Sequence, residues 1–184
     1  MGTDPSYPSL INTEFLSPIG LEEMNKYAKL QTRVDRKYIV KPETCNELLR
    51  NLPINGRALE INGYRSTQYQ STYFDTPSLD LHKAAAYQRR PRFKARTRYY
   101  EQTDIAMLEV KTKDGRGKTV KTRTQYDSKS LNSLTKEARQ FIRMTVNDSK
   151  YIDTLRYTLT TQYQRTTIVD LDTQTRMTCD EFLT

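Results

Sequence analysis

The sequence predicts an α+β domain dominated by antiparallel strands. Three observations predict it. Several segments alternate charged and apolar residues with a period of two, turn-forming residues separate them, and short amphipathic helices fall in the gaps. The segment RPRFKARTRYY shows the alternation best, with Arg92, Lys94, Arg96 and Arg98 at every second position. A helix would scatter these charges round its axis. A strand points them all to one face and leaves Phe93, Ala95, Thr97 and Tyr99 on the other. At 184 residues the chain is long enough for one domain with a proper core.

Residues 1–18 carry Pro5, Pro8 and Pro18 and read as an extended lead-in, and residues 19–184 read as the domain. GLEEMNKYAKL is a short helix, with Leu21, Met24 and Ala28 at near-helical spacing. QTRVDRKYIV alternates as a strand, with Val34, Tyr38 and Val40 on one side and Arg33, Asp35 and Lys37 on the other. KPETCNELLRNL is a helix with Pro42 in its first turn and Leu48, Leu49 and Leu52 on one side. ALEI and STQYQSTYFD are strands, with turn chemistry at Asn62-Gly63 between them. TPSLDLHKAAAY starts a helix, with Thr76 as cap, Pro77 at the first position and Asp80 in the first turn. Strands follow at 92–100, 105–113 and 117–124, the last two joined by the hairpin turn KDGRGK. SKSLNSLTKEARQFIRM is an amphipathic helix with Leu131, Leu134, Ala138, Phe141 and Ile142 as its stripe. Two more strands, about 160–171 and 174–182, close the chain.

The net charge of +8 and pI of about 9.4 point to a polyanionic partner. No run of eighteen apolar residues exists to span a membrane as a helix, and the first residues lack a secretory signal pattern. Cys45 and Cys179 lie far apart in sequence, without metal spacing, and read as reduced structural thiols of a cytoplasmic protein. His82, the only histidine, reads as a surface or packing residue. No glycine-rich phosphate loop, catalytic triad or zinc spacing is present.

The alternation recurs along the chain. Glu109, Lys111 and Lys113 share one face of IAMLEVKTK, opposite Ala106, Leu108 and Val110. Lys121 and Arg123 fall together, as do Arg165 with Tyr163 and Thr167, and Arg176 with Thr178 and Asp180. An ordinary antiparallel sheet also has one wet face. Such faces, however, mix charge signs, because directly opposed like charges destabilise a sheet. Two cations about 5 Å apart at an effective dielectric near 20 repel by roughly 3 kcal/mol. Stacking several such pairs makes sense when a polyanion lies among them. With helices on the apolar side and a curled sheet, the charged side becomes the lumen of a barrel. Glu109 is either a charge-balancing partner or a ligand holding a divalent cation against phosphate.

The ordered series RVDRKYIV, TYFDTPSLDLH, RPRFKARTRYY, LEVKTKDGRGKTVKTR, QYQRTT and TRMTCDE resembles VTC domains, the polyphosphate polymerase domains of the vacuolar transporter chaperone type, within the CYTH-like triphosphate tunnel group. The resemblance runs from about Leu21 to the last residue. It implies an antiparallel β-barrel, a triphosphate tunnel with helices packed outside, and transfer of the γ-phosphate of ATP to a growing polyphosphate chain with Mn²⁺ or Mg²⁺. It implies Lys37, Arg96, Arg98, Lys111, Lys121 and Arg123 as catalytic cations, Arg92, Lys94, Arg165 and Arg176 as further phosphate ligands, and Glu109 as the metal-holding acid. Where hydrolytic relatives open with E-x-E-x-K, this chain has Arg33, Asp35 and Lys37, which favours the polymerase branch over a triphosphatase. Family domains also continue past the strand matching TRMTCDE, with another metal-binding Glu and a late Lys that these 184 residues do not contain. The alternative expectations are a non-catalytic polyphosphate or nucleotide-binding module and a CYTH-type triphosphatase. ATP and polyphosphate are the expected partners, in the cytoplasm or at the cytoplasmic face of a membrane beside a membrane protein. Nucleic acid is not expected, because Phe93 and Tyr99 fall opposite the cations and base stacking needs aromatics among them.

Overall fold

The computed structural model describes residues 8–28, 36–52, 55–146 and 150–184. These fall into two compact units, one drawn from Met1–Gln68 and Tyr163–Thr184 and the other from Tyr69–Gln162.

The first unit contains β1 (Ser17–Ile19), α1 (Leu21–Ala28), α2 (Pro42–Arg50), β2 (Gly56–Leu59), the last half of β7 (Arg156–Asp170) and β8 (Thr175–Glu181). β2 and β8 both pair antiparallel with β7, so Ala58 opposes Ile168 and Ile168 opposes Met177. Successive residues of a strand point to opposite faces, and both faces here carry apolar side chains. Ala58 and Ile168 pack on Cys45 and Leu49 of α2, whereas Leu59 and Val169 pack on Met24 of α1. Burying Leu49 or Ile168 contributes roughly 1.5–3 kcal/mol each. The stripe of α2 differs from the expected one. Cys45 and Leu49, four residues apart, face inward, Leu52 is half-buried, and Leu48 is exposed.

Two further expectations change in this unit. The lead-in ends in a strand, β1, which pairs parallel with β2. Three residues that include a proline are too few to show alternation. The expected strand over QTRVDRKYIV falls partly at residues 31–35, outside the described residues. Its remainder, 36–40, forms no strand, and Tyr38, Ile39 and Val40 are exposed. Alternation reports that a segment can be a strand, not that a neighbour pairs with it.

The second unit holds most of β3 (Ser66–Asp75), then α3 (Asp80–Ala86), β4 (Arg92–Tyr100), β5 (Ile105–Lys113), β6 (Thr119–Tyr126), α4 (Lys136–Thr145) and the first half of β7. Its strand order is β7-β3-β4-β5-β6. The Asn62-Gly63 turn that precedes β3 has left-handed φ at both residues, as a tight hairpin turn demands. β6 starts two residues later than expected, because the Asp114–Lys118 backbone bond and the positive φ of Gly117 (+85°) extend the turn. α3 also starts later than Thr76. Leu79 is left-handed (φ 57°), and the Asp75 carboxylate, rather than Thr76 alone, accepts from the amides of Thr76, Leu81 and His82. The region expected as one helix from Ser128 divides into a short 3₁₀ turn and α4, capped by Thr135 accepting from the Ala138 amide. Ala138 and Ile142 of α4 pack on Phe93, Ala95, Leu108 and Val110, the apolar face of β4 and β5.

The fold is therefore α+β, with helices packed against antiparallel strands and β1–β2 as the parallel pair. No helix among the described residues is long and apolar enough to cross a membrane.

Candidate functional site

Register turns the alternation into rows. Across β4, β5 and β6 the rows read Arg92–Lys113–Thr119, Lys94–Lys111–Lys121, Arg96–Glu109–Arg123 and Arg98–Met107–Gln125. Directly paired residues share a face, so these rows place eight cations and one carboxylate together. The opposite face is the one buried under α4, which forces the cations outward. β3 extends the charged face with Tyr73, Ser71 and Tyr69, opposite Arg96, Arg98 and Tyr100.

Glu109 is the hub. It is 2% exposed, and its Oε2 accepts from Arg96 Nε at 2.8 Å and Nη2 at 2.7 Å. Its Oε1 pairs with Lys121 Nζ. Arg123 is the residue in register with Glu109, yet Lys121, one row away, is the one that reaches it diagonally. Burial pushes the Glu109 carboxyl up, but the Lys121 hydrogen bond and the charge of Arg96 outweigh it, so the group lies below the usual carboxylate range. Burial likewise pulls Arg96 down, and Tyr73 and Glu109 together reverse that and raise it. Lys121 is lowered, because burial and the nearby Arg96 and Arg98 exceed what Glu109 gives back.

The arginines are also braced from β3. Arg96 Nη1 donates to the Tyr73 hydroxyl at 3.0 Å, and its guanidinium lies 5.7 Å from the Tyr73 ring centroid. Arg98 Nε donates to Ser71 Oγ at 3.1 Å and lies 5.5 Å from the Tyr69 ring, which in turn meets Tyr100 edge-on at 5.1 Å. Sequence reasoning missed Tyr69, Ser71 and Tyr73. Their alternation in STQYQSTYFD is visible, but the strand they lie beside is not. Phe93 and Tyr99 do lie on the face opposite the cations, whereas Tyr69, Tyr73 and Tyr100 share the cationic face. Two of those rings are overlaid by guanidinium groups.

The middle of the lysine row has a different character. Lys111 is exposed, and both of its in-register neighbours are lysines, Lys94 and Lys121. Opposed like charges weaken a sheet. The row therefore costs stability unless an anion covers it.

The other expected cations lie in the first unit. Lys37 is exposed in the segment without strand structure. Arg165 forms a two-pronged pair with Asp180, Nε to Oδ1 and Nη2 to Oδ2 both at 2.6 Å, and lies 5.0 Å from the Tyr163 ring. Arg176 opposes Val169 and shares the Arg165 face of that unit. Sequence reasoning missed the Arg165–Asp180 pair, although both residues fall on the charged faces of their strands. No group of three or more His, Cys, Asp or Glu that could hold a metal ion occurs among the described residues. Glu109 is the one acid in the four rows.

The sequence model of the VTC domain family matches residues 32–184. No curated protein gives a significant match. Among solved structures, a crystal structure of a Vibrio parahaemolyticus protein, assigned provisionally as an adenylate cyclase, is similar with 11% identity and a TM-score of 0.43. The likeness covers 73% of this chain and 59% of that one.

Proposed function

Because this chain belongs to the VTC domain family, we propose that the cationic face of the second unit grips linear phosphate chains and transfers the γ-phosphate of ATP to a growing polyphosphate. The observation that carries this reading is the Lys94–Lys111–Lys121 row beside Arg96, Arg98 and Arg123. Arginine forks suit phosphate oxygens pairwise, and lysine supplies compact charge. A chain of phosphates offers charge at regular spacing, as the strands do.

In this scheme an oxygen of the terminal acceptor phosphate attacks the γ-phosphorus of ATP. The bond from γ-phosphorus to the β-bridging oxygen breaks, and ADP leaves. No Ser or Cys nucleophile is needed. Arg96, Arg98, Lys111, Lys121 and Arg123 hold donor and acceptor in line and neutralise charge gathering on the equatorial oxygens. Arg92 and Lys94 extend the grip along the chain. Arg165, Arg176 and Lys37 would bind phosphate on the first unit. One carboxylate suits Mg²⁺ or Mn²⁺ only when phosphate oxygens complete the shell, so Glu109 would hold such an ion with substrate present. The ion would supply further charge neutralisation at the transferred group. Drawing on ATP, this activity would run in the cytoplasm. The scarcity of acids on the face favours one second reading, a module that binds polyphosphate without turning over.

Incubation with ATP and Mn²⁺, with products run on a gel stained for polyphosphate, tests the proposal. The expected result is a ladder of chains. Release of free phosphate without chain growth indicates a triphosphatase instead. Tight polyphosphate binding without product indicates the binding module.

A further inference from the structure

The fold brings together two residues that the sequence keeps apart. Cys45 lies in the first turn of α2 and Cys179 in β8, and both belong to the first unit. Their sulfurs are 3.1 Å apart. Both are free thiols. Cys45 is buried, and Cys179 is half-buried beside it. Leu49 and Ile168 belong to the same apolar cluster, so the pair sits in packed surroundings that hold the two sulfurs together.

We propose that Cys45 and Cys179 form a disulfide that locks α2 to the last strand of the first unit. The sulfurs need to close by about 1 Å to reach bonding distance. The oxidant is a low-molecular-weight disulfide of the glutathione class. The Cys179 thiolate, the more accessible of the two, attacks one sulfur of that disulfide and displaces one thiol. Cys45, deprotonated in turn, attacks Cys179 Sγ in the mixed disulfide and displaces the second thiol. Two protein thiols and one small disulfide thus become one protein disulfide and two small thiols. Burial, with Cys45 and the charges of Glu181 and Asp180, holds the Cys179 thiol well above its usual range. The small thiolate fraction slows the first step, so the oxidation is run to equilibrium.

The lock has a definite reach. Cys179 pairs in register with Thr166, whereas Arg165 pairs with Asp180. Successive residues point to opposite faces, so the disulfide forms on the α2 side and leaves Arg165 and Arg176 untouched. The two cysteines lie 134 residues apart in sequence, so the disulfide closes a long loop. Closing so long a loop restricts the unfolded state strongly.

The test uses the full chain, equilibrated with glutathione disulfide or with reduced glutathione. The oxidised sample is expected to lose both titratable thiols, to fall in intact mass by two hydrogens and to give a peptide joining Cys45 to Cys179. Its thermal midpoint is expected to rise by roughly 10 °C, and reductant to reverse the rise. Tripolyphosphate affinity is expected to stay within about twofold of the reduced sample. Cys45→Ser, which leaves Cys179 alone, is expected to gain one glutathione and no thermal shift. Two thiols that persist after prolonged oxidation overturn the proposal. So does a disulfide formed only between two copies of the chain, or a wild type that stops at a glutathione adduct.

Discussion

Arg96→Ala is expected to weaken tripolyphosphate binding by about 10- to 100-fold, the range set by losing a charged hydrogen-bonding group worth roughly 1.5–3 kcal/mol. Polymer formation should vanish with it. Arg96 commits Nε and Nη2 to Glu109 and Nη1 to Tyr73, which fixes the plane of its guanidinium. The remaining N–H groups are then preset for a ligand without a search over rotamers. Truncation removes those donors and also frees Glu109 to repel phosphate. Arg96→Lys keeps the charge but loses the fork, and should recover only part of the affinity. Calorimetric titration at fixed ionic strength reads both variants. Equal affinity in wild type and Arg96→Ala would remove this residue from the binding face.

Glu109→Gln is expected to act in opposite directions on stability and on binding. At neutral pH it leaves Arg96 and Lys121 without their shared carboxylate. Breaking a fully buried pair costs about 3–5 kcal/mol, and with Lys121 43% exposed the expected loss is about 2 kcal/mol. Phosphate affinity in metal-free buffer should rise, because the protein's own anion no longer competes for those cations. The pH dependence follows from the depressed carboxyl. A group whose folded pKa lies below its unfolded value, about 4.3 for Glu, contributes stability that is complete above the unfolded value. That contribution is lost as pH falls through the folded value. The gap between wild type and Glu109→Gln should therefore hold from pH 7 down to about 5 and close in stronger acid. Urea unfolding across that range reads it. A gap that widens on acidification would contradict the assignment of Glu109 as a stabilised carboxylate.

Much of this was legible in the sequence wherever period-two alternation ran long. β4 and β5 fall where the alternation put them, and with them the shared face of Arg92, Lys94, Arg96, Arg98, Glu109 and Lys111. Pairing was not legible. The sequence placed Tyr73 and Ser71 on a strand but not beside Arg96 and Arg98, because register depends on which strands meet. It also could not tell that Glu109 would take Lys121 rather than Arg123, a choice made by side-chain reach. Short or turn-rich elements were lost for a different reason. β1 is only three residues long, and α3 starts late, after a left-handed Leu79, with the Asp80 amide on Thr76 Oγ and the Leu81 and His82 amides on the Asp75 carboxylate. Cys45 and Cys179 carried no signal at all, since tertiary proximity leaves no mark on spacing.

Lys111 offers the most direct test that this face is built for a polyanion. Flanked in register by Lys94 and Lys121 and exposed to solvent, it is placed badly for the fold and well for a ligand. The measurement is urea unfolding of Lys111→Ala beside calorimetric titration with tripolyphosphate at the same ionic strength. Stability should rise by about 0.5 kcal/mol as the opposed charges are relieved. Affinity should fall by about fivefold, the equivalent of one exposed phosphate contact near 1 kcal/mol. Lower stability with unchanged affinity would contradict the account, because Lys111 would then serve the sheet and not a phosphate chain.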